Sequence, residues 1–156
     1  MTGVLLVAFT VLAGCTGAQD LPTSTPTTTT SAELSSLDEA RDIMGYFNLK
    51  LPADAQNVQV VKPPLERFRA KALVSFAAPR EQVINETCKN VKTKTFDSPP
   101  LMGGYDDDIL SFAGVEIDRA SYGSCYQYEG GRKIDVLVPR AEGRTTYIVL
   151  YHVPAR

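Results

Sequence analysis

Two glycines in series, Gly130-Gly131, stand between two runs that alternate polar and apolar residues, Tyr122–Tyr128 and Lys133–Val138. A two-residue Gly-Gly connection supplies the positive φ angles of a tight hairpin turn and fixes which residues face each other across it. The register that follows sets Tyr128 opposite Lys133, Gln127 opposite Ile134 and Cys125 opposite Val136. Side chains alternate faces along a strand, so a slip of one residue would turn every side chain over. One face then carries Cys125, Ile134, Val136 and Val138 and reads as the core side. The other carries Tyr122, Ser124, Tyr126, Tyr128, Lys133, Asp135 and Leu137. Its charged members predict a face that is open, or covered only by a short helix.

The remaining elements are arranged around this hairpin. Val58 and Val60 alternate with polar neighbours and predict a strand near 57–62, stopped by Pro63-Pro64. A second strand is expected over 67–77, with Phe68, Ala70, Ala72, Val74 and Phe76 on one face and Arg67, Arg69, Lys71, Leu73 and Ser75 on the other. That period of two predicts a sheet with one wet side. Thr145–Val153 is apolar on both faces and reads as a central strand, and Ala113–Arg119 as a short additional one. Ser36 and Glu39 fit a capping box that opens a short helix through Leu37, Ala40, Ile43, Met44 and Phe47. Pro79 suits the first turn of the main helix, whose stripe of Val83, Ile84, Thr87, Cys88 and Val91 turns Cys88 inward. The expected fold is α+β: an antiparallel sheet of about five strands, one main helix packed on one face, and a short N-terminal helix.

The N-terminal tenth is of a different kind. An apolar run, Val4–Leu12, ends in Leu12-Ala13-Gly14-Cys15, after which the chain becomes Thr-, Ser- and Pro-rich. This run is short of the ~20 residues that span a bilayer. The tetrapeptide resembles the lipobox of bacterial lipoproteins, and the layout resembles small lipoproteins of high-GC Gram-positive bacteria. The resemblance implies that residues 1–14 are a signal peptide removed before Cys15. It further implies that Cys15 carries a diacylglyceryl group on sulfur and a fatty acyl chain such as palmitate on its amine. More than one chain is needed because a single one gives only marginal membrane binding. Residues 15–33 would then be the lipidated Cys and a disordered tether, and 34–156 a single extracytoplasmic domain. A segment such as Thr23–Ser31 has almost nothing to bury against its ordering entropy. It is also a plausible substrate for O-glycosylation.

Export by that route leaves two thiols, Cys88 and Cys125, which read as one disulfide. The hairpin register agrees, since it aims Cys125 at the side where the main helix should lie. A net charge of −2 with no basic patch argues against nucleic acid as a partner.

Chemistry-bearing patterns are sparse. The single His, His152, sits in a predicted strand, and there is no Gly-x-Ser-x-Gly elbow, zinc spacing or phosphate-binding glycine loop. Asp106-Asp107-Asp108 could bind a hard cation or open a helix through Ile109-Leu110. Neither a metal nor a cofactor is expected. Tyr122, Tyr126 and Tyr128, with Tyr147 and Tyr151 on the next strand, form the candidate binding surface, because Tyr adds contact area at low entropy cost. The leading expectation is a non-enzymatic, lipid-anchored envelope domain on the outer face of the bacterial cell membrane, binding an envelope protein or glycan. Alternatives are an envelope hydrolase with an unrecognised site, or a structural subunit of an envelope complex.

Overall fold

The structure, a computed structural model, describes residues 29–64 and 70–152, with the side chains of 29–35, 70 and 71 left out. The leader, Cys15, the tether as far as residue 28, and Arg67, Phe68 and Arg69 of the second strand lie outside the described residues. Helix α1 (Thr29–Tyr46) leads into β1 (Gln56–Val61) and β2 (Ala70–Ala77). Helix α2 (Arg80–Gln82) continues as a π-helical turn (Val83–Thr87) and is followed by β3 (Thr93–Thr95) and α3 (Gly104–Phe112). A 3-10 turn (Arg119–Ser121) then introduces β4 (Tyr122–Glu129), β5 (Arg132–Pro139) and β6 (Thr145–His152). The strands make one antiparallel sheet of six in the order β1-β2-β6-β5-β4-β3. Among the described residues no helix is long and apolar enough to cross a membrane.

The hairpin register is the expected one: Tyr128 pairs Lys133, Gln127 pairs Ile134 and Cys125 pairs Val136. Gly130 and Gly131 take φ of 57° and 75°, the left-handed values the turn requires. Strand β6 lies between β2 and β5, and its two faces enter different cores, Ile148 and Leu150 on one side and Val149 and Tyr151 on the other. Cys88 and Cys125 are bonded, with Cα atoms 5.9 Å apart.

Several expectations are corrected. The sheet has six strands, not about five, because Thr93–Thr95 pairs with β4 and is too short to display a period of its own. Ala113–Arg119 is not a strand; it turns at Gly114, φ 70°, and runs on without regular structure. Helix α1 starts at Thr29 rather than at Ser36, so the segment expected to be tether down to residue 33 is helical in its last residues. Ala32, Glu33 and Leu34 are strong helix formers, and extending an existing helix costs far less than nucleating one. Helix α2 closes at Thr87 instead of reaching Val91, and Pro79 is its N-cap, at φ −55° and ψ 132°, rather than its first helical residue.

The largest correction concerns the faces of the sheet. Both are covered. On the first face Ala40 and Met44 of α1, Phe47 just after it and Val83 of the π-helical turn pack with Cys88 on Val74, Phe76, Cys125, Val136 and Ile148. On the second, Ile109 and Leu110 of α3 pack on Leu73, Tyr122, Leu137, Val149 and Tyr151. The face read as open thus carries a second core. Helix α1, expected as its only possible cover, lies on the cysteine side instead.

Gly123 lets the β3 side of the molecule approach β4. A methyl group there would sit 2.6 Å from Phe96 Cα and 2.8 Å from its carbonyl carbon, both backbone atoms that cannot rotate away. Gly123→Ala is therefore expected to cost about 1–3 kcal/mol as an overpacking change, read from the urea midpoint. Breaking the disulfide, which closes a separation of 37 residues, is expected to cost about 4 kcal/mol in the chain-entropy account. Urea titration of Cys88→Ala/Cys125→Ala against wild type measures it.

Candidate functional site

The Asp run resolves as a helix start. Asp106 sits in the first turn of α3, and its Oδ2 accepts from Gly103 N at 2.7 Å, which satisfies one of the free N–H groups of that helix end. The same carboxylate is fully buried and faces the sheet. Tyr151 donates its OH to Oδ1 at 2.7 Å, and Lys133 Nζ donates to Oδ2 at 3.0 Å. Asp107 turns outward to Arg119, whose Nη2 reaches both carboxylate oxygens at 2.6 and 2.7 Å. Two of the three aspartates are thus engaged by cations of the protein itself. Among the described residues no group of three or more His, Cys, Asp and Glu is gathered as a metal site.

Lys133 serves a second carboxylate. Its Nζ lies 2.8 Å from Asp135 Oδ2, and Asp135 is 4 % exposed. One ammonium therefore stands between two buried carboxylates, which would leave a net negative charge under α3 if both were ionised. Burial first, and then the neighbouring Asp106, push the Asp135 carboxyl up to about 7, although Lys133 pulls the other way. Burial draws Lys133 down, but its hydrogen bonds and charge contacts with Asp135 and Asp106 more than compensate, and its net shift is upward. Tyr151 is raised by burial and by its bond to Asp106, so its phenol stays protonated and donates. A carboxyl that titrates near neutrality could serve as a general acid or base. Here the carboxyl is almost fully buried and the Lys133 side chain in contact with it is partly exposed.

The candidate tyrosines are divided by the same helix. Tyr122 is buried, with its OH donating to Thr145 O at 3.3 Å and its ring 6.2 Å from that of Tyr147. Tyr126 is half-buried and Tyr128 is 65 % exposed. Tyr122 therefore belongs to the second core and not to an open surface. Tyr128 stands at the hairpin end of the sheet. Tyr105, which precedes Asp106 at the start of α3, is also exposed, as are Leu101 and Tyr46. Arg132, beside the turn, stacks its guanidinium 4.5 Å from the Tyr46 ring and donates to Tyr46 O at 3.2 Å. His152 pairs with Arg132 across β5 and β6 at this same end.

At the opposite end of the sheet lies a groove of about 660 Å³ between the loop before β1, the end of β2 and the β5–β6 connection. Ala53, Ala55, Ala77 and Ala78 line it together with Asp54 and Glu142.

Lys133, Asp135 and Tyr151 could be placed together from the sequence, since hairpin register and strand adjacency put them on one face. Asp106 could not, because its approach depends on how a long irregular connection folds.

The buried pair makes stability depend on pH in a defined direction. The folded-state pKa of Asp135 is raised from 3.8 to about 7, so its contribution is full at low pH and is lost as pH rises through about 7. The other shifted groups change protonation outside the window from about pH 5 to 8: Asp118 and Glu129 are lowered carboxyls, Lys133 is a raised amine, and Tyr122 and Tyr151 are raised phenols. Thermal melts are expected to show wild type less stable near pH 8 than near pH 5, and Asp135→Asn with that slope removed.

No protein-family model, curated protein or solved structure matches this chain.

Proposed function

We propose that the chain is a cell-envelope lipoprotein, anchored by lipid on Cys15 to the extracytoplasmic face of the bacterial cell membrane. Its folded domain binds an envelope protein or glycan and performs no chemistry. The observation that carries the binding reading is the set of exposed tyrosines at the hairpin end, with Tyr128 65 %, Tyr105 61 % and Tyr46 49 % exposed. Rigid aromatic rings beside an arginine are the residue types that dominate recognition surfaces. Strand β4, the last residue of α1 and the first turn of α3 carry these tyrosines on regular elements, so little ordering entropy is lost on contact. The hydrolase alternative has one observation in its favour, the Asp135 carboxyl titrating near 7, but that group is only 4 % exposed.

Two measurements test the proposal. Cys15→Ala is expected to move the protein out of the membrane fraction and to remove the lipid mass. An unchanged fraction and mass would sink the anchor. A photo-crosslinking side chain at Tyr128 in intact cells is expected to give a discrete envelope adduct that the same probe at exposed Glu116 does not. Equal yields at both positions would remove the hairpin end as the contact surface. Tyr128→Ala is expected to cost well under ~1 kcal/mol in stability, whereas Tyr122→Ala costs about 3–5 kcal/mol.

A further inference from the structure

The charged cluster between α3 and the sheet is one positive charge short. Asp106 of α3 is fully buried and Asp135 of β5 almost so, and the ammonium of Lys133 lies 3.0 Å from the first and 2.8 Å from the second. Among the described residues, the other elements around Asp135 bring it no cation. Across β4 it pairs with Tyr126, and across β6 with Val149, which in turn pairs with Leu73 of β2. Tyr151 of β6 donates its OH to Asp106. On α3, Asp107 is turned to Arg119, and Asp108 acts on Tyr151 as a further negative charge. The cluster is therefore neutral only while one carboxyl holds a proton, and an uncompensated buried charge is costly. Burial raises the Asp135 carboxyl from 3.8 to about 7 against the pull of Lys133, and Asp106 adds to the rise by its charge and by its hydrogen bond with Asp135.

The two sides of this contact are not equally fixed. Strand β5 is paired on both edges, and β4 beside it is tied by the disulfide at Cys125. Helix α3 has no such tie. It buries Asp106, Ile109 and Leu110, and the chain on either side of it, 96–103 and 113–118, has no regular structure. Ile109 and Leu110 belong to the same apolar cluster as Leu137, two residues along β5 from Asp135, and Val149, opposite it. Local opening occurs where few apolar contacts hold an element. Excess charge at this contact is thus relieved by moving α3 into water, not by unpairing β5.

We propose that α3 is a proton-controlled latch, docked while Asp135 holds its proton and released when that proton leaves, with the six-stranded sheet still folded. Release uncovers Leu73, Leu137 and Val149, and takes with it Tyr105, which precedes Asp106 on the same turn. Its direction with pH is fixed. Once in water, Asp135 returns toward 3.8, so between about pH 4 and 7 each opening sheds a proton. The open population then rises roughly tenfold per pH unit and levels off above about pH 7. The latch needs no partner and stands apart from whatever the exposed tyrosines bind.

Amide hydrogen exchange of the isotope-labelled full chain, read residue by residue from pH 5 to pH 8 and corrected for intrinsic rates, tests it. The reporters are the amides of Ala113 and Val115, bonded to Ile109 O and Leu110 O, with Val136 and Ile148 as references within the sheet. The α3 reporters are expected to lose at least tenfold in protection between pH 5 and pH 7.5, and to lie at least tenfold below the sheet references at the upper pH. Asp135→Asn, the neutral counterpart of the protonated form, is expected to keep them protected over the whole range. Protection of α3 that does not change with pH overturns the latch. So does equal protection of α3 and the sheet at every pH, because the helix would then open only with the whole domain. Both outcomes are read on the wild-type chain alone. Asp135→Asn with the wild-type slope retained overturns the assignment of the proton to that carboxyl.

Discussion

One ammonium, Lys133 Nζ, lies 3.0 Å from Asp106 and 2.8 Å from Asp135, and the second half of the molecule depends on that contact. Without it α3 would bring a fully buried carboxylate onto a strand that already buries another. Desolvating such groups costs several kcal/mol each, and mutual attraction rarely returns more than that. The cluster is therefore better understood as fixing where α3 sits than as adding net stability. Apolar contact from Ile109 and Leu110 holds the helix down. Asp106, met by Tyr151, Lys133 and Gly103 N, selects one position and rotation for it, since any other would strand a charge.

The consequence is a sheet buried on both faces, a condition more usual for parallel than for antiparallel sheets. The two layers are secured differently. On the first face the disulfide joins the segment after α2 to the middle of β4, and a large aliphatic core surrounds it. On the second a nine-residue helix relies on a small apolar cluster and on the charged contact. The edges are treated differently too. Strand β1 has a register irregularity between Gln56 and Gln59, with Asn57 at φ 53°, and a bulge of that kind discourages further strand pairing. Strand β3 is only three residues long.

These choices sort the surface. Three tyrosines that alternate on one strand have three different environments, because α3 covers the Tyr122 end of β4 and stops before Tyr128. Tyr128, Tyr105 and Tyr46 are left exposed at the hairpin end, Phe112 is exposed at the last residue of α3, and a groove with small residues in its lining lies at the opposite end of the sheet.

The sequence by itself determined the local geometry. Gly130-Gly131 set the register to the residue, the alternation in 72–76 and 133–138 identified the first core face, and the stripe containing Cys88 together with that register predicted the disulfide. It also held the tether reading and the lipobox resemblance, which rest on residues 1–28 outside the described structure. Tertiary structure decided whatever depended on a contact between distant segments. The β3 pairing, the use of the second sheet face and the burial of Asp106 all come from residues 92–118, where no period announces an element. Charge on a strand face is an unreliable sign of solvent for the same reason. Lys133 and Asp135 look exposed in one dimension, yet Asp135 is buried and Lys133 is partly covered, with Asp106 reaching the Lys133 ammonium from a segment 27 residues away.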